Sequence, residues 1–225
     1  LNSKKKIMKK SIYLLLLTIC LLQGYSTVSF GQNIISLDDP FVKYDGGFYN
    51  VITPSLVTFN RHDATVYNNT ESGIYGTWIR QWVITQTGMR IRFKTSSPTV
   101  KLTFQQRSAG GVIGGSPTNG FAVFADSILM GSFSSLIFTV TNPSPGNATF
   151  YEITLPNLWA VDLIGMELEN TYTLEDPAIG IKPVYVALGD SKTHGTGQYV
   201  STAKTYPFLL SKLMKWDLYL SLIHI

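Results

Sequence analysis

Met89-Arg90-Ile91-Arg92-Phe93-Lys94-Thr95-Ser96-Ser97-Pro98-Thr99-Val100-Lys101-Leu102-Thr103-Phe104-Gln105 carries the pattern on which the fold turns. In its first third, Ile91 and Phe93 alternate with Arg90, Arg92 and Lys94. That period of two sends apolar and charged groups to opposite faces of a strand. Thr99–Gln105 repeats the alternation, with Val100, Leu102 and Phe104 against Lys101, Thr103 and Gln105. The intervening Thr95-Ser96-Ser97-Pro98 is a turn cluster of the kind that joins antiparallel neighbours. Working outward, strands are expected at Trp78–Thr85, Phe121–Ala125, Ile128–Phe133, Leu136–Thr141, Thr149–Leu155 and Asp162–Glu169. Asp126-Ser127 between two apolar runs predicts a tight hairpin. Ser108–Gly120, with five glycines, reads as a loop. It is not a phosphate cradle, because no helical pattern follows it. No stretch from about residue 34 to 181 sustains a helical period for three turns. Short strands punctuated by Gly, Pro and Asn predict a mostly β protein, with a β-sandwich or jelly roll over residues 33–181.

The ends of the chain differ from this body. Of 225 residues, 44% are hydrophobic and 14% charged, a balance that excludes a disordered chain. Five of the 18 basic residues are Lys4, Lys5, Lys6, Lys9 and Lys10, and no acidic residue precedes Asp38. From Gln32 onward 13 basic residues face 14 acidic ones, so the body predicts no nucleic-acid surface. The lysine cluster is followed by the apolar run Ile12–Leu22. Such a run is too short for a membrane span, which takes about 20 residues, and fits the core of a secretory signal. Met8 is the expected start, and Ser29 and Gly31 place cleavage before Gln32. Residues 1–31 are therefore read as a signal peptide, and the mature protein as secreted or periplasmic and bacterial, with no membrane span. The one cysteine, Cys20, lies in the leader, and Leu17-Thr18-Ile19 lacks the small residue that precedes a lipid-modified cysteine. The body thus has neither disulfides nor a thiolate metal site, and no metal or cofactor is expected.

Several residues invite a functional reading and also have a plain one. Trp78, Arg80 and Trp82 share one face of their strand, where the rings either stack on a sugar or fill the core. Trp159, near Pro156, reads as a loop residue. Asn68-Asn69-Thr70 and Asn147-Ala148-Thr149 match a glycosylation pattern but read as turns. His62 beside Asp63 reads as a solvated turn residue.

The character changes at Lys182. Pro183–Leu188 is a short apolar run ending in Gly189-Asp190-Ser191, with Lys192-Thr193-His194-Gly195 next. In Thr205–Met214, Tyr206, Leu209, Leu210, Leu213 and Met214 recur at helical spacing, with Pro207 in the first turn. Strand, glycine-bounded turn and helix in this order open an α/β domain. A serine at the carboxyl end of such a strand points into the crevice where α/β sheets bind ligands, and neighbouring N–H groups can receive an oxyanion. Gly189 lets the backbone turn without a Cβ clash. From these residues alone, a nucleophile turn and a simple β-turn both remain open.

Val184–Gly195 resembles the first motif of the SGNH (GDSL-type) hydrolases, and Thr205–Leu210 resembles the helix that follows it there. The resemblance implies a flavodoxin-like α/β/α catalytic domain beginning near residue 183, with Ser191 as nucleophile. It also implies that the Ser191 backbone N–H joins the oxyanion hole, with Gly189 and Asp190 as the supporting turn. The strand-rich region is similar to the jelly-roll domain of carbohydrate esterase family two, with Phe121–Phe133 around Asp126 its best local echo. The expected activity is acyl-ester hydrolysis through an acyl-serine, on acetylated polysaccharide or another small ester. The sequence also departs from the family. Lys192 stands where many members carry an aliphatic residue. The downstream glycine and asparagine of the oxyanion hole and the Asp-x-x-His pair have no match, since only His194, His224 and Asp217 follow as candidates. A local base at His194 would need a geometry that the family does not use. Residues 183–225 are therefore expected to be the first part of a catalytic domain, inactive alone, with no role for about 219–225. The rival expectation is a non-catalytic carbohydrate-binding or adhesin sandwich, in which Gly189-Asp190-Ser191 is only a turn.

Overall fold

The computed structural model describes residues 31–62, 84–107, 120–157, 159–190, 192–195 and 202–222. The expected signal peptide up to residue 30, Asp63, Asn68–Thr70, Trp78–Val83, the body of the glycine-rich loop and His224 lie outside them. Among the described residues, twelve strands precede the change of character: β1 (Gln32–Ile34), β2 (Lys43–Asp45), β3 (Val51–Thr53), β4 (Leu56–Thr58), β5 (Arg90–Thr95), β6 (Thr99–Gln106), β7 (Phe121–Ala125), β8 (Ile128–Phe133), β9 (Ile137–Thr141), β10 (Thr149–Thr154), β11 (Val161–Glu169) and β12 (Leu174–Glu175). They form two antiparallel sheets. One runs β3-β4-β11-β6-β9, with β1 also on β11, and the other runs β12-β5-β10-β7-β8, with β2 also on β5. The mostly β fold expected from the sequence is the one observed.

The alternating residues make the core. Ile91 and Phe93 of β5, Val123 of β7 and Ile153 of β10 meet Val100 and Leu102 of β6 and Leu163 of β11 in one buried cluster. Rings fill its middle: Phe104 lies 4.3 Å from Phe121, and Phe93 stacks on Tyr151 at 5.2 Å. Asp126 and Ser127 both take positive φ (47° and 72°), closing the predicted β7–β8 hairpin with the turn that matches strand twist.

The opening stretch behaves differently from expectation at its centre. β5 and β6 are not paired; they lie in opposite sheets, and Thr95–Pro98 is a corner from one to the other. Thr95 and Ser97 of the corner are buried, so their polar groups need internal partners. Ser97 N–H donates to Thr95 Oγ1 at 3.2 Å, Ser97 Oγ to the Thr99 carbonyl at 2.7 Å, and Asn142 Nδ2 to the Ser97 carbonyl at 3.1 Å. Trp159 lies on the loop between β10 and β11, as expected, and its ring, 3% exposed, turns into the core.

Beyond the sandwich, β13 (Val184–Gly189) and β14 (Asp217–Leu222) pair in parallel, from Val184 opposite Asp217 to Gly189 opposite Leu222. Between them run a 3-10 turn (Thr202–Lys204) and α1 (Tyr206–Met214). Residues 219–222, to which the sequence assigned no role, belong to β14. The helix ends at Lys215, which takes a left-handed φ of 58° while Trp216 N–H donates to the Ser211 carbonyl at 2.9 Å. Its buried side is not the expected stripe. Pro207, Phe208 and Ser211 face inward, whereas Tyr206, Leu209, Leu210, Leu213 and Met214 are exposed, Leu213 at 78%.

The outer face of the β5–β10–β7 sheet explains that reversal. Ala122 and the rim of Phe124 form a second apolar cluster with Ala187, Ala203, Phe208, Leu218 and Leu220. Arg90 and Arg92, which alternation alone would send to solvent, are each 2% exposed beneath the same cover.

Candidate active site

β13 ends at Gly189, and the chain turns at Asp190. Lys192 N–H donates to Asp190 Oδ1 at 2.9 Å, His194 N–H to the Asp190 carbonyl at 3.3 Å, and Gly195 N–H to the Lys192 carbonyl at 2.9 Å. Ser191, and with it the N–H assigned to the oxyanion hole, lies outside the described residues. A Cβ on Gly189 would overlap the Thr193 side chain, so the position needs glycine for room. Thr193 Oγ1 in turn lies 2.8 Å from the Tyr206 hydroxyl, tying the turn to the start of α1.

Loops of the sandwich hold the far side of this turn. Asn157 Nδ2 donates to the Gly195 carbonyl at 3.0 Å, and Thr87 Oγ1 donates to Asn157 Oδ1 at 2.6 Å. His194 is 1% exposed, with Nδ1 3.2 Å from Thr85 Oγ1. Its ring is thus buried against the sandwich loop that carries Thr85. Gly195 has φ +86°, and an added Cβ would overlap the Asn157 amide. Thr202 Oγ1 donates to the Leu155 carbonyl at 2.6 Å, anchoring the segment that leads into α1.

Arg61 joins the same loop to β14. Its guanidinium donates to the Thr87 carbonyl at 2.8 Å, the Thr85 carbonyl at 3.2 Å and the Leu220 carbonyl. Burial lowers its pKa to about 9, because no carboxylate among the described residues offsets the loss of water. A larger ionic group lies nearby. Asp217 Oδ1 accepts from Arg90 at 3.0 Å and Arg92 at 3.1 Å, Arg90 also meets Glu152 at 3.4 Å, Arg92 pairs with Asp45, and Lys212 with Glu152. Burial works against the Arg92 charge, but the hydrogen bond to Asp45 and the fields of Asp45, Asp217 and Glu152 outweigh it and raise its pKa.

Sequence reading missed Thr85, Thr87, Asn157 and Arg61. Asn157 follows Pro156 and looks like any loop residue, and nothing in local spacing links it to Gly195, 38 positions away. Among the described residues, no group of three or more His, Cys, Asp or Glu could hold a metal ion, and no helix is long and apolar enough to cross a membrane.

No protein-family model and no curated protein matches the sequence. Solved structures do match in shape. A salicylyl-acyltransferase from a tetracycline biosynthetic pathway aligns with a TM-score of 0.68 at 20% identity, over 85% of this chain and 54% of that one. A Bacteroides ovatus protein described as a GDSL-like lipase aligns with a TM-score of 0.65 at 14% identity, over 84% and 56%. A family two carbohydrate esterase from Cellvibrio japonicus gives 0.53 at 17% identity, over 85% and 52%. The chain therefore spans about half the length of the structures it matches. The expected likeness is found as a likeness of fold: the chain shares its fold with this acyltransferase, with the protein described as a GDSL-like lipase and with a family two carbohydrate esterase.

Proposed function

We propose that the chain is the first part of a secreted serine esterase that removes O-acetyl groups from polysaccharide. The observation that supports the reading is the parallel β-α-β unit of β13, α1 and β14. Along the sequence Ser191 comes two positions after the carboxyl end of its leading strand, where α/β sheets gather their chemistry. The shared fold with a family two carbohydrate esterase and with an acetyl xylan esterase from the rumen bacterium Butyrivibrio proteoclasticus supports the substrate class.

In this mechanism Ser191 Oγ attacks the acyl carbon, and its proton passes to a histidine supplied by sequence beyond Ile225. The oxyanion is received by backbone donors that include the Ser191 N–H. Collapse expels the sugar hydroxyl, which takes the proton back, and water then hydrolyses the acyl-serine. The packing of Ala122 and Phe124 against Ala187, Ala203, Phe208, Leu218 and Leu220 supports a sandwich that acts together with the β-α-β unit rather than as an independent adhesin module.

The test uses a protein extended through a complete catalytic domain. It should release acetate from acetylated xylan or 4-nitrophenyl acetate, and Ser191→Ala should lower that rate by about 10³-fold or more. An unchanged rate overturns the assignment. The 225-residue chain alone should show no turnover.

A further inference from the structure

A cavity of about 630 Å³ opens between α1 and the outer face of the β7–β8–β10 sheet. Its size is that of an ordinary small-molecule site. Its charge is not ordinary for this protein. Arg90, Lys182, Lys204, Lys212 and Lys215 line it, against one carboxylate, Glu152. Five of the 13 basic residues found from Gln32 onward thus gather in one pocket of a body whose net charge is −1.

Two of these cations are already committed. Arg90 is held by Glu152 and Asp217, and Lys212 pairs with Glu152 while its Nζ lies 4.9 Å from the Phe124 ring centroid and 5.6 Å from that of Phe208. Lys182, Lys204 and Lys215 are exposed and have no carboxylate within 4.0 Å among the described residues. Like charges brought together without counter-charges repel, so the arrangement costs free energy unless an anion joins it. Beside the lysines the half-buried Trp216 also lines the pocket, offering an apolar ring of the kind a sugar face covers.

We propose that this pocket binds an anionic saccharide, a sugar chain bearing carboxylate or sulfate groups, through Lys182, Lys204 and Lys215, with Trp216 beside the sugar ring. A polynucleotide fits less well. Its affinity comes from neutralising many phosphates along an extended surface, and here the positive charge is confined to one pocket of a slightly acidic body. A bare inorganic anion would leave the apolar wall unused. Where the esterase reading holds, and resting on it, the acetylated polysaccharide is itself acidic.

The experiment measures binding to the 225-residue chain by calorimetry, so it reads nothing of turnover and is independent of the Ser191 test. The probes are tetragalacturonate, a sulfated chondroitin tetrasaccharide, a neutral galactotetraose, inorganic phosphate and a ten-residue oligothymidylate. At least one anionic saccharide should bind about tenfold or more tightly than the neutral one, and added salt should weaken it. The double variant Lys204→Gln, Lys215→Gln should lose about tenfold in affinity for the loss of two charge-assisted contacts. Both side chains are exposed, so its melting temperature should match the parent. Equal affinity for neutral and anionic sugars, tightest binding of phosphate or oligothymidylate, no saccharide binding, or an unaffected double variant would each overturn the proposal. Which anionic sugar binds distinguishes carboxylate from sulfate recognition.

Discussion

Asp217→Asn tests how the β-α-β unit is fastened to the sandwich. The substitution keeps shape and removes one charge. Asp217 Oδ1 accepts from Arg90 at 3.0 Å and from Arg92 at 3.1 Å, and those arginine side chains are 2% and 3% exposed. The surrounding group balances Arg90, Arg92 and Lys212 against Asp45, Glu152 and Asp217, so the amide leaves an excess cation beneath the cover. At this separation each contact is worth about 5 kcal/mol gross at an effective dielectric constant of about 20. Most of that is set against desolvation, and breaking one partner of a buried pair typically costs about 3–5 kcal/mol. Asp217 is itself 15% exposed, so water relieves part of the stranded charge and the low end, about 3 kcal/mol, is expected. Urea unfolding gives the total, and amide hydrogen exchange gives its location. Because Asp217 opens β14, protection should fall first across β13 and β14 while β5 and β10 keep theirs. The loss should also persist in 0.5 M salt, roughly half a nanometre or less of screening length notwithstanding, because buried charges are little screened. A cost below about 0.5 kcal/mol, or one that salt abolishes, would refute the reasoning, since either marks an exposed pair.

Two other substitutions probe single contacts. Gly195→Ala places a Cβ against the Asn157 amide at a φ of +86°, and should cost more than about 1 kcal/mol with loss of protection at His194 and Gly195 in exchange measurements. Tyr151 has no hydrogen-bond partner for its hydroxyl among the described residues, and burial, with a smaller push from Asp126, raises its pKa from 10.0 to about 12. Because the folded pKa lies above the unfolded one, its stabilising contribution is whole below pH 10 and is lost between about 10 and 12. Tyr151→Phe should therefore melt like the parent at pH 7 and lose less stability than the parent on titration to pH 11.5.

Alternation was enough to identify the strands, because residues such as Ile91 and Phe93 meet a core whichever sheet they join. It could not say which sheet. Thr95–Pro98 reads as a hairpin turn, and only partners far away, Asn142 and Thr173, turn it into a corner between sheets. The helix shows the same limit. Leu209, Leu210 and Leu213 make the stronger apolar stripe, yet the described structure buries Phe208 and Ser211, because the face on offer is an outer sheet wall bearing Phe124 and Glu152. At the candidate site, the turn at Gly189 and Asp190 was legible because its order along the chain, strand then glycine then turn, is the signal, while Ser191 lies outside the described residues. Thr85, Thr87 and Asn157 were not, because they act through a contact that only the folded chain brings about.

The wall formed by Ala122, Phe124 and the paired arginines comes from strands that are complete in sequence well before α1 begins. During synthesis the amino-terminal region leaves the ribosome first. The nascent β13–α1–β14 segment therefore emerges beside a finished template, which covers its inner face at once and leaves the row of Val184, Val186 and Leu188 exposed.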